Sequence, residues 1–166
     1  VYFVPALSGL GAPYWDAAAR GTICGLTESA TSATLARAAF ESVVFQVADL
    51  FYAMQKAGGI ELNALSVDGG ATQNRALMQL QADLLQVPII RSELAEVSAI
   101  GAAYLAGKAL GWWCDYPTLA ALPRTTHTIL PNPDNHQISR DYLSWKDAVA
   151  RARFQNNTNS NNNVEA

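Results

Sequence analysis

The chain has 166 residues and a mass of 17.8 kDa, room for one domain and a short tail rather than for a complete two-domain enzyme. Half the residues are hydrophobic and 15% are charged, a core-forming balance that excludes wholesale disorder. The net charge of −3 offers no basic surplus to displace counterions from a phosphate backbone, which argues against a general nucleic-acid binder.

Val1 to Val4 is β-branched and aromatic and reads as a buried strand, stopped by Pro5. A domain seldom begins in mid-strand, and the first residue is not Met, so the expectation is a piece of a longer protein. Ser8-Gly9-Leu10-Gly11-Ala12-Pro13-Tyr14-Trp15-Asp16 is a shaped loop, and Arg20 to Leu26 a short strand bounded by glycines. Thr31 or Ser32 can cap a long helix that Gly58-Gly59 ends. Leu35, Ala39, Val43, Val47, Leu50 and Met54 recur along it at three- and four-residue steps, and Ala36, Phe40, Val44 and Phe51 widen the stripe, which reads as its buried face. Leu62 to Val67 is the next strand. Asp68-Gly69-Gly70 is a tight turn, followed by a helix from about Thr72 to Gln86. Val87 to Ile90 reads as a short edge strand with Pro88 near its start. A helix of small residues runs from Ser98 to about Leu110.

After Trp112-Trp113 the chain turns irregular, punctuated by Pro117, Pro123, Pro131 and Pro133. A last amphipathic helix covers about His136 to Phe154. Residues 155–166 are Asn-rich and too polar to offset the entropy of ordering, so they are set apart as a disordered tail after a domain at 1–154. Strands alternating with helices mean an α/β domain with helices covering a sheet. Neither a membrane-spanning apolar run nor a signal peptide is visible. The two cysteines, Cys24 and Cys114, are too isolated for a disulfide framework or a zinc site, so a reducing, cytoplasmic compartment is expected.

Leu65 to Ala71, leading into a helix, is the stretch that points to chemistry. Glycines at 69 and 70 remove Cβ atoms where a flat ligand or a phosphate must touch the backbone. A following helix N-terminus presents N–H groups suited to anions. Asn74, expected in the first helical turn, can both donate and accept, as a nucleobase or ribose requires. A plain turn with a surface Asn is the competing reading. The spacing is neither that of a dinucleotide fingerprint nor of a Walker A loop. Asp16 and Asp68 could serve as a metal or base carboxylate, but Asp68 is better read as bonding its own turn. Glu41 reads as an ordinary solvated or capping residue, Ser8 as a turn hydroxyl, and His127 and His136 as surface residues. Trp15, Trp112, Trp113 and Trp145 read as core or interface.

Val4 to Asp16 with Arg20-Gly21, then Glu41-Ser42 with Gln46 and Asp49, Val67 to Ala71 with Asn74, and Ala99 to Gly107 together resemble the carboxy-terminal domain of the FGGY carbohydrate kinase family, and within it the glycerol-phosphorylating branch. The resemblance is close over about residues 1–115. It departs at Thr34, where an amide, carboxylate or imidazole is usual, and at Glu28, where relatives often carry a basic residue. It implies an actin-like, ribonuclease-H-like fold and transfer of the γ-phosphoryl group of ATP to glycerol, giving sn-glycerol 3-phosphate, with Mg²⁺. It also implies a homo-oligomeric full-length enzyme with no nucleic-acid or membrane partner. Gly70 and Asn74 match positions that contact the adenine nucleotide, and Gly69 and Ala71 flank them. The catalytic aspartate, the phosphate-binding hairpin and most glycerol contacts would lie upstream, so no catalytic or metal-binding residue is expected here, and the 166 residues alone should have no kinase activity. Two other readings stand beside this one: a sister kinase for another polyol or sugar, and a stand-alone nucleotide-binding module.

Overall fold

The computed structural model describes residues 1–94 and 96–160, with side chains in the last helix described to Arg153. Strand β1 (Tyr2–Val4) pairs antiparallel with β2 (Thr22–Cys24), Phe3 opposite Ile23. The loop between them closes on itself through a pair of backbone hydrogen bonds joining Leu10 and Asp16, and Ala12-Pro13 is cis. Helix α1 (Ser32–Gly58) follows. Both its ends are local chemistry. Thr31 is the N-cap, its Oγ1 accepting from the Thr34 N–H while the Thr34 hydroxyl accepts from the Thr31 N–H, and Gly59 closes the other end at φ 59°.

The second sheet holds β3 (Leu65–Val67), β4 (Ile89–Ser92) and β5 (Thr126–Ile129), in that order. β3 and β4 are parallel, with α2 (Arg75–Leu85) between them in sequence, and β5 is antiparallel to β4 with Ile129 opposite Ile89. The sheet is therefore mixed and flanked by helices, an α/β arrangement. Two expectations change here. β4 is the central strand, not an edge, and the stretch read as irregular contains both a short helix, α4 (Tyr116–Ala120), and β5. β5 is Thr-His-Thr-Ile, with a single apolar residue. Its pairing with β4, not its own pattern, makes it a strand. Helix α3 (Val97–Ala109) lies largely exposed, and α5 (His136–Ser160) packs across β1 and α1. The backbone of α5 stays helical over 155–160, inside the segment set apart as a tail; residues 161–166 lie outside the described ones.

The core is built where α1, α2 and α5 meet. Phe45 packs on Tyr142 and Trp145 at 5.8 and 5.5 Å between ring centroids. Trp145 is fully buried, and its indole N–H donates to the Phe3 carbonyl at 2.8 Å. Of the other tryptophans, Trp15 and Trp112 are exposed rather than core. The face of α1 that enters this core is Ala38, Glu41, Ser42, Val44, Phe45, Ala48, Asp49 and Phe51. It shares Val44 and Phe51 with the stripe that periodicity selected, but not that stripe's main row. Leu35, Phe40, Val43, Leu50 and Met54 are all exposed. Three polar residues replace aliphatic ones on the buried side because partners reach them there. Asp49 receives the hydroxyls of Tyr14 and Tyr142, Glu41 the Arg37 guanidinium, and the Ser42 hydroxyl donates to the Ala39 carbonyl.

Candidate functional site

β3 ends at Val67, and the chain turns through Asp68 and Gly69 into a single 3-10 turn, Gly70–Gln73, before α2 begins at Arg75. The long helix thus starts later than expected, and the N–H groups nearest the glycines belong to the short turn. Asn74 is the N-cap of α2, not a residue of its first turn. Its Oδ1 accepts the Leu77 N–H at 3.1 Å, which occupies the acceptor end of the amide. The residue stays exposed. Asp68 does not tie the turn together. Thr72 does, its hydroxyl and its N–H both donating to the Gly69 carbonyl at 2.7 and 3.1 Å. Asp68 is exposed and lines a cavity instead.

The two glycines do different things. Gly69 sits at φ 89°, where side chains are strained, so the backbone itself requires glycine. Gly70 has no positive φ, and a Cβ built on it would meet nothing within 4 Å. Nothing in the chain's own packing demands glycine at 70. Ala71 and Gly70 are exposed, so the turn presents an open, nearly side-chain-free wall.

Two cavities flank this wall. One, of about 370 Å³, lies between α3 and the sheet face carrying Ser66, Ile90, Ser92 and Thr126, with Asp68 and Arg124 also in its lining. The other, a groove of about 580 Å³, runs between α1 and α2 and is lined by Phe40, Leu77 and Leu80 beside Asn74. Sequence reasoning missed a third element, Arg91. In β4 it is paired with Val67, and its Nη1 donates to the Gln73 side chain at 3.2 Å, while Nε is buried without a partner. Arg91 thus stands as a cation next to the glycine turn, its exposed end held by Gln73. The signal was available, as Arg91 is the only charged residue in the sequence run from Val87 to Ser92.

The remaining candidates resolve into structural roles. Asp16 accepts the N–H groups of Ala18 and Ala19, both at 3.0 Å, and faces Arg153 at 3.4 Å. Glu41 is buried and ion-paired to Arg37 at 2.6 Å, a contact that raises the Arg37 pKa, so it is not a solvated residue. Ser8, His127 and His136 are exposed. Among the described residues, no three His, Cys, Asp or Glu side chains come together as a metal site, and no helix is long and apolar enough to cross a membrane.

This α/β half, with a glycine turn after its first parallel strand, is an arrangement found in carbohydrate kinases. The chain belongs to the FGGY family of carbohydrate kinases, whose C-terminal domain matches residues 1–110. It is 59% identical over 155 residues to an apulose kinase of Pectobacterium atrosepticum, covering 93% of this chain and 31% of the relative. It is 50% identical over 153 residues to a glycerol kinase of Deinococcus radiodurans, covering 92% and 30%. The Plasmodium falciparum glycerol kinase solved with ADP superposes with a TM-score of 0.76 at 33% identity, over 91% of this chain and 30% of that one. A ligand-bound xylulose kinase from Lactobacillus acidophilus superposes at 0.71 with 27% identity, over 93% and 32%. The chain thus spans about a third of the length of the relatives it matches.

Proposed function

We propose that this chain is the nucleotide-binding part of an ATP-dependent kinase that phosphorylates a hydroxyl of a small polyol or sugar. The observation that carries the reading is Gly70, a glycine in the turn that neither backbone angle nor packing requires. A bound adenine nucleotide would supply the missing reason, lying against Gly69, Gly70 and Ala71 with Asn74 Nδ2 as donor. The positive charge of Arg91, next to Gln73 at the end of the turn, suits phosphate charge nearby. ATP supplies the phosphoryl group when bound, and Mg²⁺ would be held mainly by its phosphates rather than by these residues. Residues beyond this chain would carry the acceptor and the base, and the enzyme would work in the cytoplasm, where ATP is available.

Glycerol is the acceptor that the Gly9–Trp15 loop favours, and several of the relatives near 50% identity are glycerol kinases. A second reading has its own observation: the 59% identical relative is an apulose kinase. One experiment on the full-length protein tests both levels. Gly70→Val should leave stability within about 0.5 kcal/mol, since no atom stands in its way. It should weaken ADP binding at least about tenfold, or roughly 1.4 kcal/mol. Unchanged ADP affinity refutes the nucleotide role of the turn. Rates of the parent enzyme with glycerol and with apulose then decide the acceptor.

A further inference from the structure

The Gly70–Gln73 turn is bonded mostly to itself. Thr72 closes its start on the Gly69 carbonyl, and the Asn74 N–H donates to the Ala71 carbonyl at 3.2 Å. Asn74 in turn caps α2. Among the described residues, one hydrogen bond reaches residues 69–74 from outside the turn and α2. It is the bond that Arg91 Nη1 donates to Gln73 Oε1 at 3.2 Å. Register explains the reach. Arg91 is opposite Val67, the last residue of β3, and the chain leaves β3 through Asp68 and Gly69 into the turn. The arginine stands one strand over from the point where the turn starts, and its side chain spans to the residue where the turn ends.

Arg91 is otherwise ill suited to its place. β4 is the central strand, and Arg91 lies two residues beyond the fully buried Ile89, hence on the same face of the sheet. That face carries the core shared with α2. An aliphatic residue would extend the apolar surface there, whereas a half-buried guanidinium gives up water. Among the described residues no carboxylate pairs with it, and the Gln73 amide is its one side-chain partner. Packing alone does not account for an arginine at this position; its contact with the turn does.

We propose that Arg91 is a positioning residue: through Gln73 it holds the Gly70–Gln73 turn in the shape that receives the nucleotide. The inference rests on the nucleotide reading of the turn and adds the residue that orders it. The reason is entropic. A turn that opens on Gly69 and Gly70 has wide conformational freedom, and whatever the protein leaves loose the ligand must order on binding. Thr72 fixes the start of the turn and Arg91 its end. With the Gln73 tether cut, ADP has to order the turn itself, so affinity falls although no contact with the ligand has been removed.

The test uses the full-length protein and reads ADP affinity by calorimetry and melting temperature without nucleotide. Arg91→Met keeps an unbranched apolar side chain at the half-buried position and cuts the tether. Gln73→Ala cuts it from the other side, at an exposed residue where folding is not at stake. Each should raise the ADP Kd about fivefold, and the double variant should add no more than about twofold to the larger single effect, because both remove one contact. The losses should persist at high salt. A direct contact between Arg91 and the phosphates would instead leave Gln73→Ala silent and make the Arg91→Met loss fade with salt, which overturns the proposal. So does a lower melting temperature with unchanged ADP affinity, which assigns Arg91 to stability alone. Gly70→Val separates the two levels. If it weakens ADP binding while Arg91→Met and Gln73→Ala do not, only the positioning role falls; if all three leave the affinity unchanged, the nucleotide reading falls with it.

Discussion

Asp49 holds three segments that are far apart in sequence. Its carboxylate, 5% exposed, receives the Tyr14 hydroxyl at 2.6 Å and the Tyr142 hydroxyl at 2.5 Å. Tyr14 belongs to the Gly9–Trp15 loop and Tyr142 to α5, so one side chain of α1 fastens both. Asp49→Ala removes both acceptors at once. Hydrogen bonds to a charged group contribute about 1.5–3 kcal/mol each. Tyr142 is 7% exposed, and its hydroxyl would be left without water, so its contact counts in full. Tyr14 is half-buried, and its hydroxyl recovers part of the loss from solvent. Relief of the buried carboxylate's own desolvation offsets a further part. The expected net loss is about 3 kcal/mol, roughly 150-fold in the folding equilibrium. Urea unfolding of the full-length protein, followed through the transition of this domain, measures it. Tyr142→Phe in the Asp49→Ala background should then cost little, whereas in the parent it should cost about 1–2 kcal/mol, a coupling that a double-mutant cycle isolates. A loss below about 1 kcal/mol, or no coupling between the two sites, refutes the reasoning that this carboxylate carries the junction.

The same contacts set an alkaline limit. Burial, and then hydrogen bonding to Asp49, push the Tyr14 and Tyr142 pKa values well above the usual phenol value, and burial raises that of Tyr52. The unfolded chain begins to lose these protons near pH 10 while the folded one keeps them, so stability is full below about pH 10 and declines above it. Spectrophotometric titration should show tyrosines that ionise only as the protein unfolds, and Tyr142→Phe should shallow the decline; ionisation of every tyrosine near pH 10 in the folded protein would contradict this. Gly69→Ala should act on stability, where Gly70→Val acts on ligand binding. Forcing an L side chain to φ 89° and ψ 174° costs about 1–3 kcal/mol, so thermal stability should fall even with no ligand present. Equal behaviour of the two variants would show that the two glycines are not divided between backbone and ligand.

The chemistry that is local in the chain was legible without a structure. Thr31 and Gly59 bound α1 because capping needs only residues within one turn. The glycine turn after β3 was visible for the same reason, and so was the alternation of strands and helices that defines the α/β class. Periodicity also established that α1 is a helix. It could not say which side faces inward, because α1 is apolar on two sides and the richer stripe is the one this chain leaves exposed. The side that is buried carries Glu41, Ser42 and Asp49. Glu41 pairs with Arg37 one turn earlier on the same helix, but only the three-dimensional arrangement brings Tyr14 and Tyr142 to Asp49 and makes that buried carboxylate tolerable. Tertiary contact likewise decides that β4 is central, that a Thr-His-Thr-Ile segment is a strand, and that Arg91 stands beside Gln73. Each depends on a neighbour supplied from elsewhere in the chain. Hydrogen bonding between strands and burial of polar groups are pairwise, whereas caps and turns are satisfied within a few residues.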